Sequence, residues 1–541
     1  MTSKRTRVRR SVSSIIGFDG KTAQLEPRLL LSADVLTYHN DNARTGANLT
    51  ETVLTPTNVN FASFGKLGQV AVDGDVYGQP LVKTGVTVPN MGKRDIVYVA
   101  TEHDSVYAFD AKTLEPIWHD SFINPAAGIT PLQSKDVNTQ DIYPEIGITS
   151  TPVIDSSTST MYVVSAIKFS AVSGAVGFVQ QIHALDLATG AEKLGGPVDI
   201  QATVPGNGAG SARGMISYQA QWQNQRPALL LSNGVVYIAA ASFADHGPYH
   251  GWVLGYNAQT LKLASAINDT PNGVQGGIWM AGGGPAADAF GNIYLSTGNG
   301  TTRTNGLKGD FGDAVLKLHQ VSGQLKIADY FIPSNQAHLK ADDIDLGSGG
   351  VVLLPDQSGG RPHLLVTGGK DGTIYLLDRD KMGGYSRNNR IVQGVHGTIN
   401  AIFDTPAYFN GKIYYLGTGT QGHKSLESLK AFSLAGGKIV QTPMVGSNPE
   451  GFPGSSPSVS ANGSIGGIVW TLTSNKSNSN ATLRAYDALD ISHELYNNLQ
   501  AASRDRSARY VKFTVPTVVN GKVYVAGGSA LTLYGLLANG S

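Results

Sequence analysis

Apolar and polar residues alternate along most of this chain in short runs, and eight of the runs share one signature. An aliphatic residue opens it, the fourth position is aromatic or aliphatic, and the fifth is usually polar. The instances are Val106-Tyr-Ala-Phe-Asp110, Ile182-His-Ala-Leu-Asp186, Val253-Leu-Gly-Tyr-Asn257, Val315-Leu-Lys-Leu-His319, Ile374-Tyr-Leu-Leu-Asp378, Leu429-Lys-Ala-Phe-Ser433, Leu483-Arg-Ala-Tyr-Asp487 and Leu531-Thr-Leu-Tyr-Gly535. Alternation of period two puts one face of a strand into a core. Turn residues often follow, as in Leu187-Ala-Thr-Gly190, where Asp or Asn at the fifth position bonds the turn backbone.

A second strand precedes each signature, as in Ile96-Val-Tyr-Val-Ala100, Val235-Val-Tyr-Ile-Ala239 and Lys522-Val-Tyr-Val-Ala526. Several of these follow a small-Pro-aliphatic start, such as Thr151-Pro152-Val153. Each unit therefore reads as three strands and a fourth after the turn, which is the blade of a β-propeller. The spacing falls from 76 residues (Val106 to Ile182) to 48 (Leu483 to Leu531), and no Trp-Asp dipeptide recurs, so the blades are not of the WD kind. The last unit lacks its fourth strand, and Gly65-Lys-Leu-Gly-Gln-Val-Ala-Val72 is available to supply it. That pairing removes the open edge. The fold expected is all-β: one eight-bladed propeller over residues 36–541, preceded by a tail over 1–35.

Composition supports β-structure: 541 residues, 41% hydrophobic, 15% charged and 66 glycines. A net charge of +1 argues against broad nucleic-acid or membrane-surface binding. With no cysteine, disulfides, thiolate metal sites and cysteine nucleophiles are excluded. No apolar run reaches membrane-spanning length. The tail has a basic head, Lys4 to Arg10, and then Leu25-Glu-Pro-Arg-Leu-Leu-Leu-Ser-Ala33. This segment resembles the LEPR-XLL motif of planctomycete proteins, which implies sorting or export to the periplasm, the cell surface or the exterior.

The repeat, including Ala184-Leu-Asp-Leu-Ala-Thr-Gly190, resembles that of the bacterial pyrroloquinoline-quinone (PQQ) dehydrogenases, which are also eight-bladed. The same repeat occurs in cofactor-free propellers. Three stretches carry the resemblance into chemistry. Gly276-Gly-Ile-Trp279 followed by Thr297-Gly-Asn-Gly300 is similar to the family's stacking tryptophan and Thr-Gly-Asn turn. That likeness implies Trp279 as the floor beneath the quinone and Asn299 as a Ca²⁺ ligand. Asp342-Asp-Ile-Asp345 resembles the acidic segment that supplies the base near the metal. Asp342 is the best match, with Asp343 and Asp345 as alternatives. Lys370, in Gly369-Lys-Asp-Gly372, matches the basic residue that contacts the quinone oxygens.

Two features depart from the family. Its adjacent-cysteine disulfide has no counterpart. Its calcium-binding glutamate is expected after Val163-Val-Ser-Ala166, but the loop Ile167 to Phe178 contains no acid; Glu145 is the nearest substitute. A separate pair, His246 and His250, sits in a Gly/Pro loop and not on a helix, so their rings are not expected to converge on a metal. That loop is expected to pack its aromatics over the channel mouth. Two functions follow. One is a PQQ- and Ca²⁺-dependent dehydrogenase for an alcohol or sugar, passing electrons to an external acceptor, since no haem attachment motif is present. The other is a cofactor-free propeller binding protein or polysaccharide.

Overall fold

The computed structural model describes residues 34–170, 174–305, 307–321, 323–419, 426–474 and 479–538. The LEPR-XLL-like segment lies outside them. Eight antiparallel sheets form the eight blades of a β-propeller, and each signature occupies the third strand of its blade. In blade one the strands are Leu81–Val88, Gly92–Ala100, Ser105–Asp110 and Pro116–Ser121. In blade eight, Thr517–Val519, Lys522–Gly527 and Ala530–Leu536 are completed by Phe64–Ala71 from the other end of the chain, with Val70 opposite Leu531. This is the closure the missing fourth strand predicts.

The alternation in the sequence becomes packing between blades. Strand Val235–Ser242 is buried along its whole length, because neighbouring blades cover both of its faces. One contiguous cluster, including Tyr237, Leu295, Phe331 and Leu377, joins blades three, four and five. A polar device repeats among these apolar layers. A second-strand tyrosine donates to the carbonyl just after the signature of the next blade: Tyr98 to Leu187 O (2.9 Å), Tyr162 to Ala258 O (2.6 Å) and Tyr414 to Ala488 O (2.8 Å). Tyr524 closes the series across the ring, donating to Ala111 O of blade one (2.5 Å). The signature Asp or Asn tightens its turn as expected: Asp186 Oδ1 accepts from the amides of Ala188 (3.0 Å) and Thr189 (3.1 Å).

The first strand of each blade faces the central channel, and several are only two or three residues long, such as Ala286–Ala287 and Val352–Leu353. Their inner edges need hydrogen-bond partners. Residues 35–48 supply them, visiting the blades in order. Val35 pairs with Val82 of blade one, and Leu36 O accepts from Ile154 N of blade two. Asn42 Nδ2 donates to Leu231 O of blade three, and Asn42 O accepts from Ala287 N of blade four. Ala43 O accepts from Leu353 N, Thr45 O from Tyr408 N and Gly46 O from Val459 N, in blades five to seven. Asn48 Nδ2 donates to Val518 O of blade eight. Tyr38, His39 and Arg44 of this strap are buried, so the channel is plugged. Arg44 is fully engaged, donating to Pro285 O (3.0 Å), Thr37 Oγ1 (2.7 Å), Tyr38 O (2.9 Å) and Leu229 O (3.2 Å).

Arg44→Met leaves these four acceptors buried and unpaired, at about 1–3 kcal/mol for each fully sealed one. Urea denaturation is expected to show a loss of at least about 3 kcal/mol on that scale, and an unchanged midpoint refutes the strap's role.

Candidate functional site

In an antiparallel blade, the loop before the first strand and the loop joining the second to the third lie at the same end. The sequence-selected residues sit in such loops of blades four and five: Trp279 before Ala286–Ala287, Asn299 after Ile293–Ser296, Asp345 before Val352–Leu353, and Lys370 after Leu364–Gly368. The topology therefore brings them to one mouth of the plugged channel.

Trp279 is half-buried. Its indole Nε1 donates to Ser242 O (3.1 Å), and its ring meets Tyr249 edge-on with centroids 6.0 Å apart. The turn behind it is strained: Met280 and Ala281 hold φ of 49° and 52°, values that cost energy outside glycine. Thr297-Gly-Asn-Gly300 then packs against it. The loop needs Gly298 for close approach and not for a positive φ. A Cβ there would stand 2.6 Å from Asp345 Oδ1 and 2.7 Å from the Trp279 ring.

Asn299 is the hub. Its amide N–H donates to Asp345 Oδ1 (2.6 Å), and its side-chain Nδ2 donates to Asp343 Oδ1 (2.7 Å). Its Oδ1 is buried and has no partner. Lys370 Nζ meets Asp345 Oδ2 at 2.5 Å and Asp343 Oδ1 at 3.3 Å, and donates to Asp343 O (3.1 Å). Burial works against the charge on Lys370, but the attraction of Asp345 and then Asp343 outweighs it and raises its pKa. Burial lifts the pKa of Asp343, and the charges of Asp345 and Asp245 add to this against the pull of Lys370. Beneath them Asp313, buried and facing the field of Asp345, is pushed up to about 7.

Asp342 stands apart from this cluster. It caps helix Gln336–Ala341 and pairs with His338 (2.9 Å), with both side chains more than half exposed. Asp343 and Asp345 are the acids brought to Asn299 and Lys370. Glu145 does not join them and pairs with His103 (2.6 Å). The segment after Ala166 is no simple loop: strands Thr160–Ser170 and Val176–Asp186 run into it, and residues 171–173 lie outside those described.

An acid that sequence reasoning passed over comes from the next blade. Asp245 lies in the fields of Asp345 and Lys370, and burial raises its pKa. Its loop occupies, in blade three, the place that Asn299 and Lys370 occupy in blades four and five. Counting loops back from Trp279 identifies it. The histidines of that loop do not converge. His246 faces Asn138 (3.2 Å), while buried His250 is engaged by Thr270 Oγ1 (2.9 Å) and Ala209 O (2.8 Å). Tyr249 packs on Trp279, whereas the other aromatic of that loop, Trp252, is buried at the start of strand Trp252–Asn257.

Among the described residues, no three His, Asp or Glu side chains come together as a metal site. The available donors, Asn299 Oδ1 and the carboxylates of Asp245, Asp343 and Asp345, are hard oxygens suited to Ca²⁺. The orphaned Oδ1 fits a cation whose remaining oxygens come partly from a bound ligand.

No family model and no curated protein matches the chain. The fold is similar to that of a quinohemoprotein alcohol dehydrogenase from Pseudomonas putida HK5, with a TM-score of 0.58, 14% identity, and coverage of 93% of this chain and 80% of that one. A quinohemoprotein alcohol dehydrogenase from Comamonas testosteroni gives 0.54, 15%, 93% and 80%. A europium-containing methanol dehydrogenase gives 0.55, 13%, 93% and 98%. At these identities the likeness establishes the fold.

Gly298→Ala is expected to push Asp345 from Trp279, cost about 1–3 kcal/mol by overpacking and shift the tryptophan emission. Unchanged emission and stability mean that the loop does not hold the site.

Proposed function

We propose that this protein is a quinoprotein-like dehydrogenase that oxidises an alcohol or sugar with PQQ and Ca²⁺ and yields electrons to an external acceptor. The observation that carries the reading is the buried, unpartnered Oδ1 of Asn299, set among carboxylates beside a half-exposed tryptophan. Bound there, PQQ and Ca²⁺ supply the hydride acceptor and a Lewis acid that polarises it. Trp279 offers a flat apolar face for the ring. Asn299 Oδ1 and the carboxylates of Asp245 and Asp345 would hold the cation, with Asp245 in place of the acid missing after Ala166. Lys370 would be the cationic group toward the quinone oxygens. Asp343 is accessible, has a raised pKa and contacts both Asn299 and Lys370, so we assign it as the general base that takes the substrate hydroxyl proton. In this reading Asp342 is a helix-end residue outside the reaction.

Purified chain with PQQ and CaCl₂ is expected to quench tryptophan fluorescence on binding and to support dye-linked alcohol or sugar oxidation. Asp343→Asn is expected to lower turnover about 10²-fold or more, with Asp342→Asn close to wild type. The reverse pattern returns the base to Asp342. Absence of PQQ binding removes the enzyme reading and leaves a scaffold for protein or polysaccharide.

We further propose that the tail over residues 1–35 directs export. No helix among the described residues is long and apolar enough to cross a membrane. Cell fractionation is expected to find the full chain outside the cytoplasm and a chain lacking residues 1–33 inside it. Equal distribution of the two refutes the tail's role.

A further inference from the structure

The residues that open the first strands ring the channel, and most are small or neutral. Gln79 N donates to Thr151 Oγ1 (2.8 Å), Thr405 N donates to Ser456 Oγ (3.0 Å), and Gly284 stands at the corresponding place in blade four. Blade three breaks the pattern with Arg226, the residue before Pro227.

Arg226 is only 6% exposed. Its guanidinium lies between two aromatic rings, 5.2 Å from the Tyr77 centroid and 4.6 Å from that of Phe513. Among the described residues it makes no hydrogen bond and no ion pair, and its Nη2 is sealed from solvent with no acceptor. A guanidinium carries five donors and no acceptor, and a buried charge is normally paired. Arg44, in the same channel, shows the ordinary solution with four bonds. The aromatic sandwich fixes the plane of Arg226 but accepts none of its N–H groups.

Asp141 and Glu102 act on Arg226 through their fields, but neither makes an ion pair with it. Lys512 stands 5.7 Å from the Phe513 centroid and holds Asp141 (2.7 Å), whose backbone carbonyl accepts from Tyr77 Oη (3.1 Å). Buried Glu102 uses one oxygen for Gly147 N and Thr149 Oγ1, while its Oε1 has no partner. Burial pushes the Glu102 pKa up to about 8, against the pull of Arg226. Arg509, further along, is spent on Asp75. The loop of Arg226 adjoins the Trp279 turn. Ala228 N donates to Gly282 O (3.2 Å), and Asp141 lies in the fields of Lys512, Arg226 and Lys370.

We propose that Arg226, held between Tyr77 and Phe513, is a carboxylate-recognition residue at the channel mouth, and that its ligand is a small hydroxy acid or acidic sugar. As a statement about the oxidised substrate this rests on the quinoprotein reading; as a statement about binding it does not. The guanidinium offers its charge and its remaining N–H donors to the carboxylate. The rest of the acid then reaches toward Trp279 and Asp343.

The test uses the purified full chain without PQQ or Ca²⁺, with D-gluconate as probe and D-glucitol as its neutral counterpart. Gluconate is expected to raise the Tm and glucitol at the same concentration is not. Arg226→Met is expected to weaken gluconate binding about tenfold or more in calorimetry, since it removes a charged hydrogen-bond donor. Without ligand, Arg226→Met is expected to unfold at or above the wild-type Tm, because no hydrogen bond is lost. Arg226→Lys is expected to retain part of the gluconate shift. No gluconate-dependent shift in the wild-type chain overturns the proposal, as does equal binding by wild type and Arg226→Met. A ligand-free Arg226→Met less stable than wild type, with its gluconate affinity intact, marks a structural arginine and also overturns it. A second arm repeats the titration with PQQ and Ca²⁺ bound. A persisting gluconate shift supports the acidic substrate. Its loss through competition shows that a cofactor carboxylate takes Arg226 and overturns the substrate assignment. Failure of the quinoprotein reading appears separately, as absent PQQ binding.

Discussion

Eight short inner strands converging on one channel create a problem that apolar packing does not solve. Each presents backbone N–H and C=O groups toward an axis where no neighbouring strand exists. Left dry and unpaired, such groups oppose folding. Residues 35–48 answer them with a contact to every blade in turn, and the side chains of Tyr38, His39 and Arg44 fill the space that remains. The rest of the structure depends on this. The plug closes the pore. The first strands keep their register, and the loops preceding them, which carry Trp279, Asp345 and Arg226, are held at that mouth.

At the mouth, like charges are made tolerable by interleaving. Asp343 and Asp345 are held near each other because Lys370 stands between them and Asn299 donates to both. The arrangement satisfies every arm of Asn299 except Oδ1. Asp245 and Asp313 add negative potential from blade three and from beneath. Arg226 is the mirror case, a positive group without a partner of its own. Both kinds of orphan occur among the loops at the channel mouth.

The fold was legible because a blade repeats a local pattern, and each of the eight signatures reports the same strand. The closing strand was legible from what the last unit lacked. Trp279, Asn299 and Lys370 could be placed because glycine-rich turns accompany them, and close approach leaves a trace in the sequence. The acids were harder. Asp342, Asp343 and Asp345 lie within four residues, and the helix that ends at Ala341 decides which of them turns inward. That helix carries no strong periodic signal. Asp245 escaped notice because its loop is conspicuous for histidines. Arg226 looks like an ordinary residue before a proline until its partners are counted. The strap, too, was hidden, since many of its contacts are backbone groups that no side-chain pattern encodes.

The clasp of blade eight sets the order in which the molecule can be completed. Val70 leaves the ribosome hundreds of residues before its partner Leu531. The strap has the same history, for its bonds reach from Val82 to Val518. The pairings with blade eight must wait until that blade has been made, and closing so long a loop carries an entropic cost that only the finished ring repays. Native closure is therefore a single late event. A chain cut short near its C-terminus loses more than one strand: it loses the moment at which the ring locks.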